Sequence, residues 1–317
     1  MSLSRRNFLF LGAGAAAAKA FAGVEVYTSG IKDEQVLKIT HLEIDLGLRH
    51  AFKAFHFSDT HLNFFDAADF AAVHEDKKRH YHKRWGRFPQ ALQSFYASVD
   101  YAMMRRMPML HTGDLIDFIN DGNERVLRHN MKGLDLHYAI GNHEYQDRGP
   151  EHYTKDPEGV RTRLRQYMPN DLTVAPRILG GANFVSFDNA FHNLKEETIA
   201  GVKREFEKGL PVVLMCHIPP TYTMQFRENS RKNRMKTYLA MGGKPVPINE
   251  FALPGNPADR YDERTKAFYE WLRARKDLKA ILCGHAHWAQ VDDFSDTAKM
   301  YVAGGNCEGC ANEIVFK

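Results

Sequence analysis

Runs of hydrophobic residues alternate with helical patterns along most of the chain. Apolar or alternating runs predict strands over 36–46, 52–57, 109–111, 136–140, 183–187, 212–216, 280–283, 300–303 and 313–316. A helical period predicts helices over 89–106, 123–131, 196–208 and 263–276. Strands that alternate with helices indicate a layered α/β domain. In such folds, ligands bind beyond the carboxyl ends of the strands.

Five polar clusters follow predicted strands at those positions. They are Asp59-Thr60-His61, Gly113-Asp114 with Asp117, Gly141-Asn142-His143-Glu144, His217, and Gly284-His285-Ala286-His287. Each cluster alone is weak evidence, because a single histidine after an apolar strand is more often a core residue than a ligand. Their common position at strand ends indicates a metal site. Carboxylate, amide and imidazole donors suit Mn, Fe or Zn, whereas a calcium site would contain only oxygen donors.

Two local features would let these clusters converge. Residues i and i+2 of an extended segment point the same way, so we expect Asp59 and His61 to meet at one ion. We expect His285 and His287 to share a centre for the same reason. The glycines at positions 113, 141 and 284 would let the backbone turn sharply beside a ligand.

In these clusters and their order, the chain resembles the metallophosphoesterase family, also called calcineurin-like phosphoesterases, over about residues 54–306. The resemblance implies an α/β fold, a four-layer αββα sandwich of two mixed β-sheets flanked by helices. It also implies a phosphoric ester hydrolase with two divalent transition-metal ions, Mn, Fe or Zn. A hydroxide that bridges the ions would attack phosphorus in line.

The resemblance carries roles for individual residues as well. One ion would be held by Asp59, His61 and His287, the other by Asn142, His217 and His285, with Asp114 bridging both. His143 would be the general acid or the group that stabilises the transition state. Asp117 and Glu144 would orient the ligands from behind.

The substrate is less defined than the site. We expect a small phosphoester, with a phosphodiester slightly favoured over a phosphomonoester, because purple acid phosphatases carry a tyrosine where this chain has Asp117. Substrate contacts are predicted at Tyr145, Arg148, Tyr222 and Arg227, although each could equally be ordinary loop packing. Two alternatives stay open: a catalytically silent scaffold on this fold, which lost ligands would reveal, and a nuclease, which a broad basic face would reveal.

The amino terminus has the three parts of an export signal. Arg5 and Arg6 precede a weakly apolar, Ala/Gly-rich stretch that ends in Ala-x-Ala, which resembles a twin-arginine signal. We therefore predict a signal peptide over 1–22, a linker over 23–35 and a catalytic domain over 36–317. The twin-arginine export machinery would be a partner, and the mature protein would be periplasmic or extracellular in a bacterium.

Charge and hydropathy argue against two classes of partner. Removing Arg5, Arg6 and Lys19 with the signal reduces the net charge of +4 to +1, which gives little support to a nucleic-acid ligand. No apolar run reaches the roughly 20 residues that span a bilayer, so we expect no stable membrane insertion.

Two other stretches depart from the general pattern. Residues 219–260 hold six of the 13 prolines and several cations, which predicts a lid inserted in the catalytic domain. Of the four cysteines, Cys216 and Cys283 adjoin predicted ligands and are interpreted as buried neighbours. Cys307 and Cys310 form a single CxxC, which predicts a buried or paired thiol rather than a zinc ribbon.

Overall fold

The computed structural model describes residues 36–65, 88–146, 154–191, 193–220 and 261–317, three residues between 75 and 79, and the backbone of residues 19–21 and 24–28. The described strands are β1 Lys19–Phe21, β2 Val24–Thr28, β3 Val36–Ile44, β4 Phe52–Phe57, β5 Met109–His111, β6 Leu136–Tyr138, β7 Val174–Leu179, β8 Ala182–Phe187, β9 Val212–Met215, β10 Leu278–Cys283, β11 Gln290–Asp293, β12 Lys299–Val302 and β13 Cys310–Phe316. The described helices are α1 Ala91–Met104, α2 Asp121–Asn130, α3 Pro157–Arg165, α4 Glu196–Phe206 and α5 Glu263–Arg273, with short 3-10 turns at His143–Tyr145 and Asn306–Glu308.

The strands form two mixed sheets. One sheet has the order β1-β2-β3-β13-β4-β5-β6, and the other has the order β11-β12-β10-β9-β8-β7. In the first sheet, β4, β5 and β6 are parallel neighbours, and β13 pairs antiparallel with β4. In the second, β8, β9, β10 and β12 are parallel, with antiparallel strands at both edges. The parallel strands therefore bring several carboxyl ends together.

The two sheets pack face to face. A buried apolar cluster joins residues of the first sheet, such as Leu110 and Phe316, to residues of the second, such as Phe184 and Met215. The Phe184 and Phe316 rings meet edge to face across this layer, with centroids 5.0 Å apart. Two further clusters pack α1 against the outer face of the first sheet, and α4 and α5 against that of the second. The predicted αββα sandwich is confirmed.

Local sequence explains how the helices begin. The side chains of Asn120, Asp156 and Asp262 each accept a hydrogen bond from the backbone N–H three residues later, at the starts of α2, α3 and α5. Such N-caps satisfy backbone donors that have no partner within the helix. The predicted strands and helices are all present, with ends shifted by at most three residues.

Several elements and segments differ from the sequence predictions or escape them. The pattern did not predict β7, β11 or α3, and β2 lies inside the segment that we interpreted as a linker. Apart from β1 and residues 219 and 220, the predicted signal peptide and lid lie outside the described residues. Within the described part of the chain, no helix has both the length and the apolar character needed to cross a bilayer.

Candidate metal centre

The predicted ligands lie on sharp turns rather than on extended backbone. Positive φ values between 51° and 68° occur at Asp59, His61, Asp114, His285 and His287. Each such conformation costs about 1–3 kcal/mol in a residue with a side chain, and it persists only where the surrounding structure enforces it. Our expectation that Asp59 and His61 converge along an extended segment is therefore wrong about the backbone. These side chains converge because left-handed turns redirect them.

The three glycines beside the ligands have two different roles. Gly113 has a φ of +95°, which a side chain would disfavour, so it permits a turn as predicted. Gly141 and Gly284 do not have positive φ. A Cβ at Gly141 would collide with the backbone nitrogen and carboxylate of Asp114, and one at Gly284 would collide with the side chains of Ser58 and Asp59. These two glycines permit close approach of ligand-bearing segments.

One group of ligand atoms, which we call half-site A, comes from Asp59, His61 and His287. The Nε2 atoms of His61 and His287 are 2.9 Å apart. The Nε2 atom of His287 lies 3.4 Å from an oxygen of Asp59. The Nδ1 atom of His61 donates a hydrogen bond to Asp117, so its Nε2 carries a lone pair. A lone pair aimed at a second imidazole nitrogen and a carboxylate fits a bound cation.

A second group, half-site B, comes from Asn142, His217 and His285. The Nδ1 atom of His285 lies 3.0 Å from Oδ1 of Asn142 and 3.2 Å from Nε2 of His217. The Nδ1 atom of His217 donates to the backbone oxygen of Thr112 at 2.7 Å, which leaves its Nε2 for a ligand. The mixed amide and imidazole donors fit a divalent transition-metal ion.

Asp114 lies between the two half-sites. Its Oδ2 atom is 3.0 Å from Nε2 of His217 and 3.8 Å from Nε2 of His61. Its other oxygen accepts a hydrogen bond of 2.8 Å from the backbone N–H of His143. Because one oxygen faces both groups, Asp114 is placed where a shared ligand would be.

His143 lies at the open side of the centre. Its side chain is 12% exposed, whereas those of His61 and His217 are buried. Its Nδ1 atom bonds the backbone oxygen of Asp117 at 3.0 Å, and the carboxylate of Asp117 is equally close. His61, Asp114 and His143 also offer ligand atoms within 4.8 Å of one another. His285 and His287 are the other partly exposed residues of the centre.

The two predicted orienting carboxylates act in different ways. Asp117 accepts from the imidazole of His61 at 2.8 Å, as predicted, and from the amide of Asn63 at 3.1 Å. Glu144 contacts backbone instead of imidazole. Its carboxylate accepts hydrogen bonds from four backbone N–H groups, those of Asp114, Leu115, Ile116 and Gly141. It therefore holds the turn that presents Asp114.

Two positioning asparagines were not found from the sequence. The Oδ1 atom of Asn189 accepts from the backbone N–H groups of His217 and Ile218, and its Nδ2 donates to the oxygen of Ile218. Asn306 accepts from the hydroxyl of Thr60 and donates to Ser98. Both asparagines are buried. No sequence signal marks them, because their partners are distant along the chain.

The electrostatics of the centre favour a positive charge. Burial, with the Asp114 carboxylate nearby, raises the pKa of Asp59 to about 7. Burial alone would lower the pKa of His217, but the carboxylates of Asp114 and Asp59 raise it to about 10. Burial lowers the pKa of His61 to about 4, so that imidazole is neutral at pH 7 and able to bind a metal. A divalent cation would supply the charge that the two carboxylates demand.

Of the four predicted substrate contacts, the described residues include Tyr145. Tyr145 is fully buried, and its hydroxyl donates to Asp188 and accepts from Arg161. Its position therefore argues against the substrate contact that we predicted there. Arg148, Tyr222 and Arg227 lie outside the described residues.

Comparison with solved structures finds proteins of low sequence identity. A dimetal phosphatase from Danio rerio is 15% identical, with 81% of this chain and 88% of that chain covered and a TM-score of 0.44. A phosphopantetheinyl hydrolase from Mycobacterium tuberculosis is 11% identical, with coverage of 84% and 91% and a TM-score of 0.39. A 5'-nucleotidase from Candida albicans is 14% identical, with a TM-score of 0.37; the alignment covers 82% of this chain but only 47% of the nucleotidase.

The sequence comparisons give one match. The search of curated proteins finds no match. Residues 52–289 match the model of the family described as calcineurin-like phosphoesterase, a span that includes every predicted ligand. Together with the carboxylate and histidine groups described above, this match supports metal-dependent hydrolysis of a phosphoester. Because the match covers well over half of the chain, the protein belongs to the calcineurin-like phosphoesterase family.

Proposed function

We propose that this protein hydrolyses a small phosphoester at a centre of two divalent transition-metal ions, Mn, Fe or Zn. The observation that carries the proposal is the position of Asp114, one oxygen of which faces both His217 of half-site B and His61 of half-site A. Each half-site offers two imidazoles and one further oxygen donor besides Asp114. Bound ions would stabilise charge on the phosphoryl oxygens and activate a water molecule.

The residues of the chain prepare the site for that chemistry. Nδ1 of His61 donates to Asp117, and Nδ1 of His217 donates to the carbonyl oxygen of Thr112. These hydrogen bonds leave both Nε2 atoms available as metal ligands. The turn held by Glu144 presents Asp114 between the two half-sites. Since His143, His285 and His287 are the partly exposed members, a substrate would approach from their side.

His143 is the residue suited to proton transfer. Its Nδ1 atom lies against Asp117, and its Nε2 atom lies 3.9 Å from Oδ2 of Asp114, beside the centre. His143 would therefore donate a hydrogen bond to a phosphoryl oxygen or a proton to the leaving oxygen, a contribution of about 10²- to 10⁴-fold.

The test compares two substrates on metal-reloaded protein. Mature protein is stripped with a chelator, reloaded with Mn²⁺ and assayed on bis-p-nitrophenyl phosphate and p-nitrophenyl phosphate. We expect hydrolysis of at least one, and the ratio of the two rates assigns the diester or monoester class. His143→Ala should keep both ions and lose about 10²- to 10⁴-fold in turnover. His129→Ala, on the exposed face of α2, is the matched control.

Two results would contradict the proposal. Parent protein that binds two Mn²⁺ ions and hydrolyses neither ester would favour the silent scaffold. Loss of metal by His143→Ala in proportion to its loss of turnover would make His143 a ligand instead of a proton donor.

We also propose that the protein is exported by the twin-arginine pathway. The support is the Arg5-Arg6 pair before a weakly apolar stretch and an Ala-x-Ala end. Replacing both arginines by lysine should leave the protein in the cytoplasmic fraction of a bacterial host, uncleaved. Mature protein in the periplasm of that variant would contradict the proposal.

A further inference from the structure

A thiol lies against one of the predicted ligands. The Sγ atom of Cys307 is 3.6 Å from Nδ1 of His287, within the range of a hydrogen bond to sulfur. Cys307 belongs to the 3-10 turn Asn306–Glu308 and is 3% exposed. Its backbone N–H donates to the carbonyl oxygen of Asp59 at 3.0 Å, so the turn is attached to the same segment that carries two ligands of half-site A.

The contact completes a pattern among the imidazoles that present Nε2 to the centre. His61 has its Nδ1 on the carboxylate of Asp117, and His217 has its Nδ1 on the carbonyl oxygen of Thr112. His287 also presents Nε2, at 2.9 Å from Nε2 of His61. Its Nδ1 faces the sulfur of Cys307. An acceptor at Nδ1 fixes the tautomer and ring direction of a metal-binding histidine.

The surrounding packing is consistent with a specific contact. Gly305 leaves the space for it, since a Cβ there would lie 3.1 Å from Nδ1 of His287 and 3.2 Å from the sulfur of Cys307. Phe88 packs in one small cluster with Cys307 and Ala91, stacks on the ring of His61 and lies 5.7 Å from that of His287. Phe88 therefore provides apolar packing beside both rings.

We propose that Cys307 is a positioning residue for half-site A: its sulfur accepts the Nδ1–H of His287 and thereby directs Nε2 of His287 to the metal. This inference rests on the proposed function, because it assumes that His287 binds a divalent ion. It assigns to the first cysteine of the CxxC a role that the second does not share.

The test measures metal binding in three variants. Cys307→Ala removes the acceptor, Cys307→Ser keeps a polar acceptor, and Cys310→Ala changes the other cysteine of the CxxC as a matched control. Mn²⁺ affinity is measured by titration of the chelator-treated protein, and d–d spectra are recorded after Co²⁺ loading. We expect Cys307→Ala to bind one of its two ions about 10- to 100-fold more weakly, with an altered Co²⁺ spectrum. Cys307→Ser should recover most of the affinity, and Cys310→Ala should match the parent.

Each contrary result has a distinct meaning. Parent-like affinity and spectrum in Cys307→Ala would overturn the role of Cys307 while leaving the proposed function intact, whereas parent protein that binds no divalent ion would overturn the proposed function itself. An equal deficit in Cys310→Ala would also overturn the role of Cys307, because it would show a general effect of disturbing this part of the chain.

A second measurement does not depend on the variants folding. Long-range ¹H–¹⁵N spectra of Zn²⁺-loaded parent report which ring nitrogen of His287 carries the proton. We expect it on Nδ1, and a proton on Nε2 would overturn the proposal.

Discussion

The two half-sites differ in what holds their ligands. In half-site A, all three ligands have positive φ. The Nδ1 atoms of its two imidazoles contact side chains, those of Asp117 and Cys307. In half-site B, His285 alone of the three has positive φ. There, Nδ1 of His217 donates to a backbone group, the carbonyl oxygen of Thr112.

The difference teaches where substitutions will matter. A backbone acceptor is present whatever the side chain, so half-site B depends on the sheet that carries it. Half-site A depends on particular side chains that hold strained turns and imidazole tautomers. We therefore expect side-chain substitutions around the centre to weaken half-site A first, and the predictions below test that asymmetry.

The largest effect should come from Asp114, because it serves both half-sites. Asp114→Asn removes the shared negative charge, so both ions should bind poorly and the asymmetry should disappear. Turnover should fall by about a thousandfold or more, since several kcal/mol of charge stabilisation is lost at about 1.4 kcal/mol per tenfold. Mn²⁺ content after dialysis and kcat/KM measure the two effects. Asp135→Asn, an exposed acid paired with Arg177, is the control. One ion retained at parent affinity would show that Asp114 does not bridge.

Asp117→Asn should separate the half-sites. The amide is a poorer acceptor for Nδ1 of His61, so affinity at half-site A should fall about 10- to 100-fold while half-site B retains its ion. Dialysed protein should then contain one Mn²⁺ ion instead of two. Equal weakening of both ions would refute the asymmetry. Turnover should fall as well, because Asp117 also holds Nδ1 of His143.

Asn189→Ala tests the complementary claim about half-site B. Asn189 is buried and makes three hydrogen bonds to the backbone of His217 and Ile218, so its loss should cost about 1–3 kcal/mol in the free energy of unfolding. Metal affinity should fall less than in Asp117→Asn, because the carbonyl oxygen of His217 still accepts from the N–H of Gly284, directly after β10. Urea unfolding and Mn²⁺ titration measure the two quantities. Asn193→Ala, an exposed asparagine that accepts from Asp262, is the control. A larger metal defect than that of Asp117→Asn would reverse the comparison.

The buried strands of the fold could be predicted from the sequence, whereas edge strands and a polar helix could not. The strands β4 and β5 have their predicted bounds because their apolar runs end abruptly at polar clusters. The edge strand β11, with the sequence Gln-Val-Asp-Asp, carries one apolar residue and gives no strand pattern. The edge strand β7 gives no strand pattern for a different reason, because Pro176 and Arg177 interrupt its apolar residues. Helix α3 buries Val160 and Leu164, but the rest of its short sequence is so polar that no helical pattern is visible.

Some features of the site could likewise be predicted from the sequence and others could not. Ligand types could be predicted, because the donor atoms are written into short motifs at strand ends. The left-handed backbone at His285 and His287 could not be predicted, because packing rather than residue type imposes it. The contacts of Cys307 with His287 and of Asn189 with His217 join residues 20 or more positions apart, and only the folded chain brings them together.

The last predicted effect lies outside the centre and concerns a buried histidine that lacks the carboxylates of the centre. Where Asp114 raises the pKa of His217, burial lowers that of His137 on β6 to about 4. The unfolded chain then binds a proton below pH 6.5 that the folded chain binds only near pH 4. Folding stability should therefore be lost as the pH falls through this window, by about 2 kcal/mol from His137 between pH 7 and pH 5.

His137→Leu isolates that contribution, because it replaces the titrating imidazole on β6 by an apolar side chain. Urea unfolding of the chelator-treated parent and variant at pH 7 and pH 5 gives the difference between their pH dependences. The parent should lose about 2 kcal/mol more than the variant between these two values. Identical pH dependences would mean that His137 titrates normally in the folded chain. Burial would then not be enough to lower the pKa of His137, and the contrast with the raised pKa of His217 would be wrong.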